Sequence, residues 1–233
     1  MLLEQVRIGK ERILFAVVCD GIGGMQDGEY ASGLVVTELK QWFFDEGVDI
    51  IRRSIGQREQ IKIYIKSLDR RLHLISEKLM KYGENKSCSL GTTCSGVLLL
   101  GSRYLMFSVG DSCLMRMSMR RRKCLNKPDV NEKGQLLRCI GSEGWYPVCY
   151  SNGFLRKKDM LLLGTDGFFR FLRSEDIDDL FSEVRKAGFG NKMKLSNQRK
   201  MKTWMDTMEK RLRDRGEWDD MTAVLIGGEL HGF

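Results

Sequence analysis

Four times along this chain an apolar run of strand length adjoins an aspartate that sits beside a turn residue. Asp20 follows Ile-Leu-Phe-Ala-Val-Val-Cys, Asp111 follows Leu-Met-Phe-Ser-Val-Gly, and Asp166 follows Met-Leu-Leu-Leu-Gly-Thr. Asp219 precedes Asp-Met-Thr-Ala-Val-Leu-Ile. One such aspartate is ordinarily a turn former or a helix cap. Four at the ends of core strands constrain the fold further, because strands of a sheet carry their ends to a common rim. Carboxylates that converge there repel one another unless a cation holds them together.

The order of elements points to the architecture. Residues 2–8 and 13–19 read as a hairpin around a turn at 9–11, and a glycine-rich turn follows at 20–28. A helix is expected from about residue 29, with Ala31, Val35, Leu39 and Trp42 or Phe43 on one face. A second is expected over about 58–82, where Ile61, Ile65, Leu68, Leu72, Ile75 and Leu79 form a core-facing stripe; the same spacing would serve a coiled coil. Strands are expected at 92–100, 104–109, 113–119 and 160–165, helices at about 174–186 and 197–213, and a last strand at 221–227. The stretch 126–150 reads as loop. This order lacks the strict alternation of a doubly wound parallel sheet. It predicts an α+β fold, antiparallel sheets with helices packed outside.

Composition removes several chemistries. The chain of 233 residues is long enough for one sizeable core, so a single domain over 1–233 is expected. Seven cysteines with no CxxC pair disfavour a disulfide framework and a thiolate zinc site, and fit a reducing cytoplasm. Two histidines, His73 and His231, leave little room for Ser-His-Asp catalysis or a catalytic zinc. No apolar run approaches the roughly 20 residues of a membrane helix, and the N-terminus lacks a secretory pattern. The net charge of +8 resides in the segment 185–215, which holds 11 Lys and Arg against 3 Asp and Glu. With no nucleic-acid motif there, a solvated amphipathic helix face is the simpler reading, and nucleic acid is not the expected partner.

Without spaced thiolates or several imidazoles, the aspartates offer oxygen ligands only, which selects Mg²⁺ or Mn²⁺. Two such ions roughly 3.5–4 Å apart can activate a water and clamp a phosphoryl group, so metal-dependent phosphate chemistry is indicated. In Asp20-Gly21-Ile22-Gly23-Gly24 the glycines serve a sharp strand-to-helix turn or close backbone approach, with the Gly21 carbonyl free to reach a metal. No Lys-Ser/Thr follows them, so a Walker loop is excluded, and the spacing fits a dinucleotide fingerprint poorly.

Together DGIGGMQDGEYAS, GTTCSGVLLL, SVGDS, LLLGTDGF and DDMTAVLI, in this order and spacing, resemble the metal-dependent Ser/Thr protein phosphatases, the PPM or protein phosphatase 2C family, in its compact bacterial form. The resemblance runs from about residue 2 to 228. It implies a four-layer αββα sandwich with a dinuclear Mn²⁺/Mg²⁺ centre at one edge. A hydroxide bridging the two ions would hydrolyse phosphoserine and phosphothreonine, with no phosphoenzyme. Asp20 would bridge the ions, Gly21 would offer its carbonyl, and Asp166 and Asp219 would complete the ligand set. Asp111, with Asp166, would hold a weaker third ion. The region 128–157 would be a flap beside the cleft. The implied setting is cytoplasmic, as a monomer, acting on phosphorylated proteins made by a Ser/Thr kinase.

Three features depart from the family pattern. Asp220 replaces the Asn of DN-x-T, and Cys113 stands where Arg usually follows GDS. On this resemblance the opening Met1-Leu2-Leu3 is expected to fall inside the family's second strand. The first strand, with a phosphate-binding Arg and an Asn/Gln/Glu-Asp pair, is then expected to be missing from a shortened chain or lost from the protein. Weaker substrate binding and lower stability are the expected consequences. They keep open a second function, a family member of weakened or absent activity that binds a phosphoprotein or other partner. Cys19 and Cys113, beside ligand positions, are expected to be buried small hydrophobes.

Overall fold

Strand β2 (Glu11–Val18) is buried on both faces, with Ile13, Phe15 and Val17 on one and Leu14, Ala16 and Val18 on the other. Such a strand must lie between two apolar layers. A computed structural model of the chain, describing residues 1–22, 27–54, 59–119, 121–143, 147–187 and 195–227, supplies both. β1 (Leu2–Ile8) pairs with β2 from Leu2↔Val17 to Ile8↔Glu11, across a tight turn in which Gly9 takes φ 59°. β2 continues into β3 (Cys94–Leu100), β4 (Arg103–Val109) and β7 (Cys149–Phe154), giving a five-stranded sheet of order β1-β2-β3-β4-β7. A four-stranded sheet has the order β6-β5-β8-β9, from β5 (Cys113–Met117), β6 (Arg122–Cys124), β8 (Met160–Gly164) and β9 (Ala223–Gly227). Among the described residues every strand pairing is antiparallel.

Three apolar layers separate four structural ones. Phe15, Phe107 and Leu98 of the first sheet meet α1 (Gly28–Trp42), α2 (Val48–Ser54) and α3 (Gln60–Lys86) through Val35, Trp42, Ile51, Leu68 and Leu72. Between the sheets lie Ala16, Val97, Leu161 and Val224. Met160 and Leu162 on the far side of the second sheet meet α5 (Ser174–Ala187) and α6 (Leu195–Asp214) through Phe181, Val184 and Leu212. The αββα sandwich is therefore present. The stripe on α3 packs against α1 and the first sheet, as a core helix does.

Some elements were not expected. A π-helical turn, Phe43–Gly47, joins α1 to α2. A short helix α4 (Asp166–Phe169) follows β8 directly. Part of the stretch read as loop and flap is sheet: β7 pairs with β4 from Arg103↔Phe154 to Ser108↔Cys149. Its polar Ser151, Asn152 and Gly153 hide the pattern, because an edge strand needs only partial burial. A side chain at Gly153 would meet the Tyr104 hydroxyl at 2.7 Å, so glycine lets the strand pass that ring. Gly23 and Gly24, positions 144–146 of the flap region and 188–194 of the basic segment lie outside the described residues. Among the described residues no helix is long and apolar enough to cross a membrane.

Candidate metal centre

Neighbouring hydroxyl groups brace the backbone from which these aspartates project. Asp20 lies just past β2; its N–H donates to Thr93 Oγ1 at 3.1 Å, and its carbonyl accepts from Thr92 Oγ1 at 2.8 Å and the Thr93 N–H at 2.9 Å. Asp111 follows Gly110, whose φ of 103° suits glycine, and precedes the buried Ser112. The Ser112 and Thr93 hydroxyls are 2.9 Å apart, so one polar link joins the supports of Asp20 and Asp111. Across the rim, Thr165 Oγ1 donates to the Asp220 carbonyl at 3.2 Å and accepts the Thr222 N–H at 3.1 Å. This fastens the strand end bearing Asp166 to the loop bearing Asp219.

Two glycines permit the close approach. A side chain at Gly21 would lie 2.4 Å from the Gly28 carbonyl oxygen, and one at Gly167 would lie 2.7 Å from that of Asp220. No real side chain tolerates either distance, so both turns require glycine.

The four carboxylates feel one another. Burial, then the charges of Asp166 and Asp219, push the Asp20 carboxyl up to about 7. Burial, then the charge of Asp166, raises Asp111 as well. Such mutual repulsion is the electrostatic signature of a site shaped for cations.

Three further residues complete the cluster, and the sequence patterns did not single them out. The Arg170 guanidinium pairs with Asp166, with Glu217 Oε1 at 3.3 Å and with Asp219 Oδ2 at 3.5 Å. Glu217, 1% exposed, also accepts the N–H groups of Trp218 at 3.0 Å and Asp219 at 2.9 Å on Oε1, while its buried Oε2 has no hydrogen-bond partner among the described residues. Arg213 donates to the carbonyls of Glu217 at 3.2 Å and Asp219 at 2.9 Å. Arg170 lies four residues after Asp166, a helical spacing that the short α4 disguises. Part of the basic segment is thus structural, since Arg211 and Arg215 also grip the buried Asp176 at the start of α5.

The donor set fits hard divalent cations: oxygen atoms only, Asp20 and Asp111 raised by burial and by neighbouring carboxylates, and a glycine where a side chain would close the turn. Among the described residues no three His, Cys, Asp or Glu side chains already surround one point as a finished cage. Arg170 stands among the carboxylates and supplies positive charge.

The description "Protein phosphatase 2C" matches residues 4–225. No curated protein matches the chain. Solved structures share its fold. A bacterial serine phosphatase is 20% identical, with TM-score 0.72 over 94% of this chain and 87% of its own. The serine/threonine phosphatase Stp1 from Staphylococcus aureus is 18% identical, with TM-score 0.73 over 97% and 87%. The catalytic domain of the serine threonine protein phosphatase PstP, solved with two manganese ions, is 18% identical, with TM-score 0.65 over 97% and 90%. By sequence motif, by layer order and by this match over most of its length, the chain belongs to the protein phosphatase 2C family.

Proposed function

We propose that the chain is a protein serine/threonine phosphatase that removes phosphate from phosphoserine and phosphothreonine, acting in the cytoplasm as a monomeric domain. The observation that carries this reading is the meeting of Asp20, Asp111, Asp166 and Asp219 at strand ends of both sheets, where Asp20 is raised to about 7 by burial and by the other three. Asp20, Asp166 and Asp219, with the Gly21 carbonyl, would hold two Mn²⁺ or Mg²⁺ ions, and Asp111 with Asp166 a third. When bound, the ions would supply a water of lowered pKa and neutralise charge on the phosphoryl group.

The chain's own groups do the rest. Thr92 and Thr93 hold the backbone of Asp20, and the Thr93–Ser112 link ties it to the residue next to Asp111. Thr165 and Glu217 fix the loop that presents Asp219. Hydrolysis of an aryl phosphate and of phosphothreonine peptides in Mn²⁺ tests the reading. Asp166→Asn should lower the rate by at least about 100-fold, the scale of losing a charge-stabilising group. No Mn²⁺-dependent turnover in the parent chain would remove it. The Arg170 contacts favour a second reading, a partner-binding member whose acidic rim is held by its own arginine. That reading requires calorimetry to detect no Mn²⁺ binding.

A further inference from the structure

Beside this rim, two thiols stand closer than packing alone requires. Cys113 opens β5 directly after Ser112, and Cys124 closes β6, the short outer strand of the second sheet. Cys113 Sγ donates to Cys124 Sγ at 3.4 Å. Paired partners such as Met115↔Cys124 put residues 113 and 124 on one face of the hairpin, in diagonal relation. Cys113 is 7% exposed and Cys124 is exposed, so only one sulfur is open to a reagent while the other is held against it. Sulfur atoms at this separation need a further approach of about 1.4 Å to reach bonding distance. A three-residue edge strand paired on one side only can make that movement.

We propose that Cys113 and Cys124 form a reversible disulfide, a redox modification site that ties β6 to the start of β5 next to Asp111. Cys124 is the exposed thiol of the pair, so it meets a reagent first and its thiolate is the attacking group. The Cys124 thiolate attacks one sulfur of a small-molecule disulfide, giving a mixed disulfide and releasing one thiolate. Cys113 loses its proton, through solvent, to the released thiolate and attacks the Cys124 sulfur, and a second small thiolate leaves and is protonated from solvent. The net change converts one small disulfide and two protein thiols into one protein disulfide and two small thiols.

The consequence runs through short connections. Asn126, next to β6, donates to the Ser112 carbonyl at 2.8 Å and accepts the Leu114 N–H at 2.9 Å. Leu125 N–H donates to the Leu114 carbonyl at 2.7 Å. Pulling Cys124 onto Cys113 therefore shifts the backbone that carries Ser112 and Asp111. This effect on turnover rests on the phosphatase reading; the modification does not.

Incubating the full chain with oxidised glutathione, then digesting it with trypsin without reductant, tests the site. Peptides 104–116 and 124–133 should appear joined, about 2 Da lighter than their sum, and should separate on adding a dithiol. Cys124→Ser should leave Cys113 unlinked. A stable glutathione adduct on Cys124 with Cys113 still reduced, or a link only elsewhere, for example between Cys19 and Cys94, would overturn the proposal. In the same samples, Mn²⁺-dependent hydrolysis should fall by about twofold to thirtyfold on oxidation of the parent chain, and not in Cys124→Ser. Linked peptides with an unchanged rate would overturn the coupling to Asp111. Absent turnover in reduced protein, with the link formed, would count against the phosphatase reading alone.

Discussion

Asp20 carries a conflict between stability and chemistry. Its carboxyl is partly buried among three others, so in the metal-free fold it is held up to about 7. Replacing it by the uncharged isostere removes that repulsion. Asp20→Asn should raise metal-free stability by roughly 1–2 kcal/mol while abolishing turnover. Thermal unfolding in chelator reads the first effect, and a lower melting temperature would contradict it. Arg170 is the opposite case, a cation that quiets the same cluster through Asp166, Glu217 and Asp219. Arg170→Gln should destabilise the metal-free fold and tighten Mn²⁺ binding, by about threefold to tenfold for a half-exposed competing charge. Calorimetric titration measures this, and weaker binding would instead make Arg170 a support for the ligands.

At the scale of elements, the connection from α6 to β9 is built around one buried carboxylate. Glu217 Oε1 takes the N–H groups of Trp218 and Asp219 together with Arg170. Glu217→Ala would leave those donors without their acceptor and free the loop that presents Asp219. A stability loss of roughly 2–3 kcal/mol is expected, with a fall in turnover larger than that loss explains, read by denaturant unfolding and by rate at saturating Mn²⁺. A normal rate in the folded variant would show that Arg213, which holds the same loop by two carbonyls, suffices. This loop also marks where the sequence stops being readable. The strands were legible because Ile13–Val18 and Leu161–Leu163 are apolar without interruption, and the aspartates because each adjoins such a run. Glu217 and Arg170 were not, since nothing local distinguishes a buried Glu or a bridging Arg from a solvated one. β7 was hidden for a related reason: its pairing with β4 is a long-range event, and Ser151-Asn152-Gly153 has weak strand preference.

For the whole molecule, the acidic rim makes folding, pH and metal one linked equilibrium. The unfolded chain has an ordinary carboxyl at Asp20, near 3.8, and the metal-free fold holds it near 7. Between those values the folded state keeps a proton that the unfolded state has lost. Stability must therefore fall as pH rises from about 4 to about 7, and level off above. The lowered carboxyl of Asp176, gripped by Arg215, acts in the other direction but only in more acidic solution, so the windows separate. A divalent ion needs the ionised carboxylates, so its stabilisation must grow over the range in which the metal-free fold weakens. At a hundredfold excess over its dissociation constant an ion adds about 2.7 kcal/mol, or roughly 5–10 °C in a domain of this size. Melting curves at pH 5.5 and 7.5, with Mn²⁺ and with chelator, should show the larger Mn²⁺ shift at pH 7.5. In Asp20→Asn the metal-free curves at the two pH values should draw together and the Mn²⁺ shift should shrink. Equal Mn²⁺ shifts at both pH values in the parent chain would mean that the ion binds away from these aspartates.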